Sequence, residues 1–291
     1  MDIFLLLLFS GLETGSIYAL ATLGIVLIYK TSRTTNFAQG TIGMFNAFAA
    51  TFALNAWGLP TWLAALFGMV SAFVTGILID IVIIRRAKRA NSLSRQIITF
   101  GLIMVLLGLT PMTFGVIPLS FPRLITQGQI EIMGASLSHN GLLNIAIGTL
   151  ITAGLFFFLK YTKWGLAVRV TASNETTAKL MGVPTAKVTM GAWAVAASLG
   201  ALSALMLAPA ISVNPTMMEN VQLNALIAGV LGGFSTFYAP VIAAFAIGIA
   251  RNLLLFYVSS VWGEPILFSL ILLFIVIRPN GLVGKKIVKK V

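Results

Sequence analysis

Acid–base or metal chemistry has little to work with here: seven acidic residues, one histidine and no cysteine in 291 residues. Glu13 is the acid in the most unusual setting. It lies about ten residues into the apolar run that opens "IFLLLLFSG", between Gly11 and Gly15, where a membrane span would hold it near mid-depth. A carboxylate in hydrocarbon costs on the order of 3 kcal/mol, so it either serves a cargo or pairs with a neighbour. A second polar group, "TTNFAQGTIGMFN" at 34–46, sets Asn36, Gln39, Gly40, Gly43 and Asn46 into an otherwise apolar stretch. Read as a helix, Asn36, Gly40 and Gly43 share one face with Gln39 adjoining it. Amides and glycines on one face make interhelical hydrogen bonds and close packing, or they line a polar route. Other charges read more simply. Asp80 precedes Arg85 and Arg86 by little more than a turn and is expected to pair with them at an interface. Arg251 is expected to snorkel along its own helix. His139 stands alone, so no metal site is expected.

Enzymatic signatures are missing. The string "GLVGKKI" has neither the spacing nor the hydroxyl of a phosphate-binding loop, and no H-E-x-x-H, paired-carboxylate or Ser/His/Asp constellation occurs. No ring-forming acidic motif or carbonyl filter suggests an ion channel. The expectation is a non-catalytic chain with no cofactor of its own.

The surrounding elements explain what these polar groups interrupt. Hydrophobic residues make up 58% of the chain and charged residues 9%, with a mean hydropathy of +1.00, far from a soluble domain. Runs long enough to cross a bilayer, or nearly so, fall at 3–29, 35–57, 61–84, 96–118, 140–159, 188–211, 222–237, 239–258 and 261–278. The seventh and the last are short, so one or both are expected to be re-entrant or broken. The first run lacks a basic leader and continues to Ile28, so it reads as a span rather than a signal peptide. The expected fold class is all-α: a polytopic integral membrane protein of about 8–10 transmembrane helices, some short or broken.

A net charge of +12 would suggest nucleic acid in a soluble protein, but the basic residues sit in short loops beside apolar runs. Lys30 and Arg33, the loop "RRAKRANSLSR" at 85–95, the stretch from Lys160 to Lys187, and the tail from Arg278 to Lys290 fall on one side of the nine crossings. Of 19 basic residues only Arg123 and Arg251 lie elsewhere. That asymmetry places the basic side in the cytoplasm, with the N-terminus outside and the C-terminus inside.

The loop "TKWGLAVRVTASNETTAKLMGVPTAKV", residues 162–188, is the longest polar interruption. Trp164, Ala167, Val168 and Thr171 share a helical face, and Thr177, Leu180, Met181 and Pro184 repeat the pattern after a break. Ser173 is read as an N-cap, Glu175 as a first-turn carboxylate favoured by the helix dipole, and Gly182 as a left-handed terminator. A short helix near 174–181 follows. It either lies on the inner leaflet or docks Leu180 and Met181 into a soluble partner.

These residues resemble a known family. "TKWGLAVRVTASNETTAKLMGV" is similar to the cytoplasmic loop of LivH-type permeases of branched-chain amino acid ABC importers. "GSIYALATLGIVLIYKTSRTTNFAQGTIGMFNAF", "AGVLGGFSTFYAPVIAAFAIGIA" and "RPNGLVG" resemble the family's first spans, its glycine-rich late segment and its C-terminal signature. Some positions depart from the family pattern: Asn46, Ser235 and Ala243–Ala244 stand where glycines are usual, Asn224 where a charged or small residue is, and Thr176 and Thr177 where alanines are. The resemblance implies one permease domain over 1–291 with a cytoplasmic coupling loop at about 160–187. It implies an importer pathway for branched-chain amino acids or related amides, driven by ATP hydrolysis in partner subunits. Those partners would be a second permease, two ATP-binding subunits and an extracytoplasmic substrate-binding protein, in the inner membrane and with no nucleic acid. On this reading Glu175, Ala178, Leu180, Met181 and Gly182 couple to the ATPase, and Glu13, Asn36, Gln39, Gly40 and Asn46 are candidates to line the route. The alternatives are a stand-alone secondary transporter or facilitator, which should carry midplane coupling carboxylates and internal repeats, and a non-transporting anchor.

Overall fold

The structure is a computed structural model that describes residues 2–132, 135–279 and 281–283. The tail lysines Lys285, Lys286, Lys289 and Lys290 lie outside the described residues. Helix α1 (Asp2–Ser32) is followed by α2 (Gln39–Trp57), α3 (Thr61–Ile79), α4 (Ser92–Phe114) and α5 (His139–Tyr161). Two short helices, α6 (Lys163–Ser173) and α7 (Glu175–Leu180), then lead into α8 (Thr185–Ile211), α9 (Glu219–Gly232), α10 (Tyr238–Tyr257) and α11 (Gly263–Ile277). Six of these are long and apolar enough to cross a membrane: α1, α3 with its continuation to Ile84, α4, α5, α8 and α10. All nine runs read from the sequence are helices, and the seventh is short, as expected: α9 has 14 residues. At 1.5 Å per residue it is about 21 Å long, too short for a core of about 30 Å. One feature was not foreseen. Strands β1 (Gln129–Ile132) and β2 (Ala135–Ser138) pair antiparallel in the 115–138 connection, capping one end of the bundle.

Helices α1 and α8 form its spine. Helix α1 packs against α5, α8, α9 and α10, and α8 packs against α1, α2 and α3. Hydrocarbon gives helices no hydrophobic reason to associate, so close approach of small residues does that work. The buried side of α8 is largely alanine, and Gly200 lets its carbonyl sit against Gly43 of α2, where a Cβ would collide with that backbone oxygen.

The described basic loops gather at the end opposite the hairpin. Arg95 Nη1 donates to the Ser32 carbonyl at 2.9 Å, Arg33 Nη2 to Ala172 O at 2.6 Å, and Lys30 Nζ to Ser235 O at 2.6 Å. Asp80 and Arg85 form the expected pair at 3.1 Å. Arg251 does not snorkel. Its guanidinium is held by Glu264 of the first turn of α11, with Nε to Oε1 at 2.8 Å and a second contact from Nη2. A partner at arm's length removes the need to reach for the interface.

Candidate functional site

Three regions carry the polar residues singled out in the sequence. The first is the interior point where α2 and α9 begin. Asn36 precedes α2 instead of lying on its face. Its Oδ1 accepts from the Ala38 amide at 3.0 Å, which makes the turn that starts the helix. Its Nδ2 donates to Gln39 Oε1 at 3.1 Å, and Gln39 Nε2 donates to the Ala196 carbonyl of α8 at 2.6 Å. The Gly40 amide donates to Gln222 Oε1 of α9, whose Nε2 reaches back to Asn36 O at 3.5 Å. Asn36 and Gln39 are fully buried. The result is a closed set of hydrogen bonds tying the starts of α2 and α9 to the middle of α8. Non-helical backbone at membrane depth needs such partners, since no water is there to supply them.

Asn46, about two turns into α2, is also fully buried and satisfied. Its Oδ1 accepts from Ser71 Oγ at 2.9 Å and Thr75 Oγ1 at 3.3 Å of α3, and its Nδ2 donates to Ile42 O at 2.8 Å. Of the two readings of this polar stretch, interhelical hydrogen bonding is the one its geometry displays for Asn36, Gln39 and Asn46.

The second region is the hairpin end. Glu13 Oε1 accepts from Asn144 Nδ2 at 2.7 Å. The carboxylate sits beside the first turns of α5 and under β2, where it lines a cavity of about 230 Å³ with Gln129, Ser136 and Ser138. That is nearer the hairpin end than the mid-depth position expected of it, because α1 projects well beyond the start of α5. His139 opens α5. Among the described residues no cluster of three metal-binding side chains occurs.

The third region is the α6–α7 loop. Thr162 caps α6 through Gly165 N at 3.0 Å. The apolar face read in α6 is real and turns inward: Val168 and Thr171 are buried, with Trp164 and Ala167 packed around Leu27, Leu159 and Val188. Helix α7 differs from expectation at its start. Ser173 ends α6, and Asn174 is the cap, its Oδ1 accepting from Thr177 N at 3.0 Å. Both residue types cap well; α6 simply runs far enough to absorb Ser173. Glu175 stands in the first turn and pairs with Lys179 at 2.6 Å on the exposed surface. Ala178 is fully buried and anchors the helix, while Leu180 and Met181 are 85% and 72% exposed. Gly182 has φ +80°, the left-handed conformation the sequence required.

Several participants escaped the sequence reading: Gln222, Asn144, Ser71, Thr75 and Glu264. The string "ENVQLN" at 219–224, with four polar residues in six at the start of a short apolar run, was the one local signal for Gln222.

A polytopic helical bundle whose broken helices meet inside it is the architecture of a membrane transport protein. The family model for the branched-chain amino acid transport system permease component matches residues 7–277, and the chain belongs to that family. It is 28% identical to the high-affinity branched-chain amino acid transport system permease protein LivH of Escherichia coli, over 99% of this chain and 98% of that one. It is 27% identical to the corresponding permease protein BraD of Pseudomonas aeruginosa, over 98% and 97%. A probable LivH of Methanocaldococcus jannaschii is 25% identical over 94% and 91%. Among solved structures, PsaBC from Streptococcus pneumoniae in complex with Fab shares the fold, with a TM-score of 0.53 at 14% identity, covering 93% of this chain and 91% of that one. The protein is therefore a multi-pass membrane permease subunit of the ABC-importer type.

Proposed function

We propose that this subunit carries branched-chain amino acids or close relatives across the inner membrane, as one half of a permease pair. Two ATP-binding subunits would drive it and an extracytoplasmic binding protein would deliver the cargo. The observation that carries this reading is the family match across nearly the whole chain, which includes the loop as well as the bundle. Helix α7 supports the assignment of the ATPase contact to Glu175, Ala178, Leu180, Met181 and Gly182. It is anchored by one buried alanine and offers two large apolar side chains to solvent. Two turns of helix are marginal in water without a surface to rest on. The basic end of the bundle would face the cytoplasm, with the N-terminus outside. The buried clamp of Asn36, Gln39, Gly40 and Gln222 would hold the broken helices in place beside the route, and Glu13 would lie toward its outer end.

The test is reconstitution. The permease pair with its ATPases in vesicles, supplied with binding protein, should accumulate labelled leucine only when ATP is hydrolysed. Uptake driven by an ion gradient without the ATPases would replace this reading with the secondary-transporter one.

A further inference from the structure

Helix α9 begins inside the bundle, and its first residue is a glutamate. The depth follows from three contacts. Thr22 Oγ1 of α1 reaches the Ala225 carbonyl of α9 at 3.3 Å. Gln222 of α9 meets the start of α2, and the start of α2 meets Ala196 near the middle of α8. Glu219 lies six residues before Ala225, about 9 Å further from the basic end. Helices α1 and α9 both run toward that end, which puts Glu219 level with Ser16, less than one turn inside Glu13 and about 24 Å from Ser32 at the basic end. That level lies within the half of the membrane nearer the hairpin.

At that depth Glu219 and Asn220 are exposed on the side of the chain, and among the described residues no hydrogen bond or ion pair reaches the Glu219 side chain. A carboxylate cannot sit against acyl chains without a large penalty, so this flank faces water or protein in the working assembly. Beside it opens a cavity of about 270 Å³. One rim carries Glu219, Gln222 and Thr41; the wall is Phe37, stacked on Phe100 at 4.4 Å, with Leu223 and Leu226. Gln222 is already engaged with Gly40 and Asn36. Glu219 is therefore the uncommitted charged group of a mostly apolar recess, which suits a small solute that presents a cationic group and an apolar body to it.

We propose that Glu219 faces the aqueous route in the half of the membrane nearer the hairpin and holds the ammonium group of the amino acid in transit, with the solute's own carboxylate turned to the water of the route and the Phe37–Phe100 wall receiving its apolar side chain. This rests on the reading of the chain as an amino-acid permease.

The chain has no cysteine, so thiol labelling of single variants is clean when read on this chain by mass. In the assembled complex, Glu219→Cys and Asn220→Cys should react with a water-soluble thiosulfonate, and excess leucine should slow the reaction. Leu150→Cys, from an exposed apolar position in the middle of α5, should stay inert. Glu219→Gln should lower ATP-driven leucine uptake about tenfold, the scale of one charge-assisted contact, with the subunit still folded and bound to its ATPases. Glu219→Asp should recover part of that loss. If both thiol variants are as inert as Leu150→Cys, or if Glu219→Gln imports leucine at the wild-type rate, the proposal is overturned. If the wild-type complex imports no amino acid with ATP, the permease reading itself falls and the ammonium role with it, whatever the labelling at 219.

Discussion

The clamp at the start of α2 and the α7 loop are both interruptions in an apolar chain, yet they are built in opposite senses. At the clamp, polar side chains are buried and every amide has a partner: Asn36 and Gln39 are fully buried and bonded to each other, to Ala38 N and to Ala196 O. In the loop, apolar side chains are exposed, Leu180 and Met181 above all. Buried and satisfied polar groups specify how helices sit together. Exposed apolar groups on a short anchored helix are a surface waiting for another molecule. Mutations in the first region should therefore act on the fold, and mutations in the second on assembly.

The largest effect should come from Gly43→Val beside the clamp. Its Cβ would meet the Gly200 carbonyl, a backbone atom that cannot move aside. Overpacking of this kind costs about 1–3 kcal/mol when side chains can yield, and more when backbone must. Size-exclusion of fluorescently tagged protein should show loss of the monodisperse species. Next, Leu180→Asp with Met181→Asp should leave that profile unchanged and strip the subunit of its ATPases. Each side chain contributes on the order of 2 kcal/mol if buried at the contact, so docking should weaken 100-fold or more. If the double variant still retains ATPases and couples hydrolysis to uptake, α7 is only a membrane-surface element.

Gln39→Leu sharpens the contrast from the other side. It leaves the Ala196 carbonyl and the Asn36 amide without their partner, at a cost of about 1–3 kcal/mol. The midpoint of thermal unfolding in detergent should fall, and uptake should fall only as far as folded protein does. Full loss of uptake at normal folded yield would instead make Gln39 part of the route. Gly182→Val should cost somewhat less, on the order of 1–2 kcal/mol. A β-branched residue resists φ +80°. The strain falls on α7, so substrate-stimulated ATP hydrolysis should drop while the bundle keeps its thermal midpoint. The smallest effect belongs to Lys179→Ala. The Glu175–Lys179 pair is solvent-exposed on both sides, so its removal should change neither ATPase retention nor stability measurably.

Much of the fold was legible because membrane spans announce themselves by length and hydropathy. The nine apolar runs became helices close to their expected bounds, down to the shortness of α9. Gly182 was legible for an equally local reason, since a left-handed terminator before proline has few other candidates. Capping was less legible: Ser173 and Asn174 are adjacent and both competent, and only the length of α6 chose between them. Arg251 was misjudged because its partner Glu264 lies on another helix. The candidate site was read as residue types without partners, so Asn36 was placed on a helix face when it makes the turn before the helix. Gln222 was missed altogether.

By itself, then, the sequence determined that this is a membrane-embedded helical bundle with its positive charge on one side, because burial in lipid and charge beside it are properties of short stretches. It also determined that the loop at 162–188 holds two short helices, because spacing and terminators act within a few residues. Only the tertiary structure decided which polar residues are spent within the bundle and which are left for something else. Asn46 is satisfied by Ser71 and Thr75, Gln39 by Ala196 and Asn36, while Glu219 ends on an exposed flank with no partner among the described residues. A hydrogen bond between helices joins residues tens to hundreds of positions apart, as with Gly40 and Gln222 at a separation of 182. No periodicity in the chain encodes such a pairing; it exists only once the helices are packed.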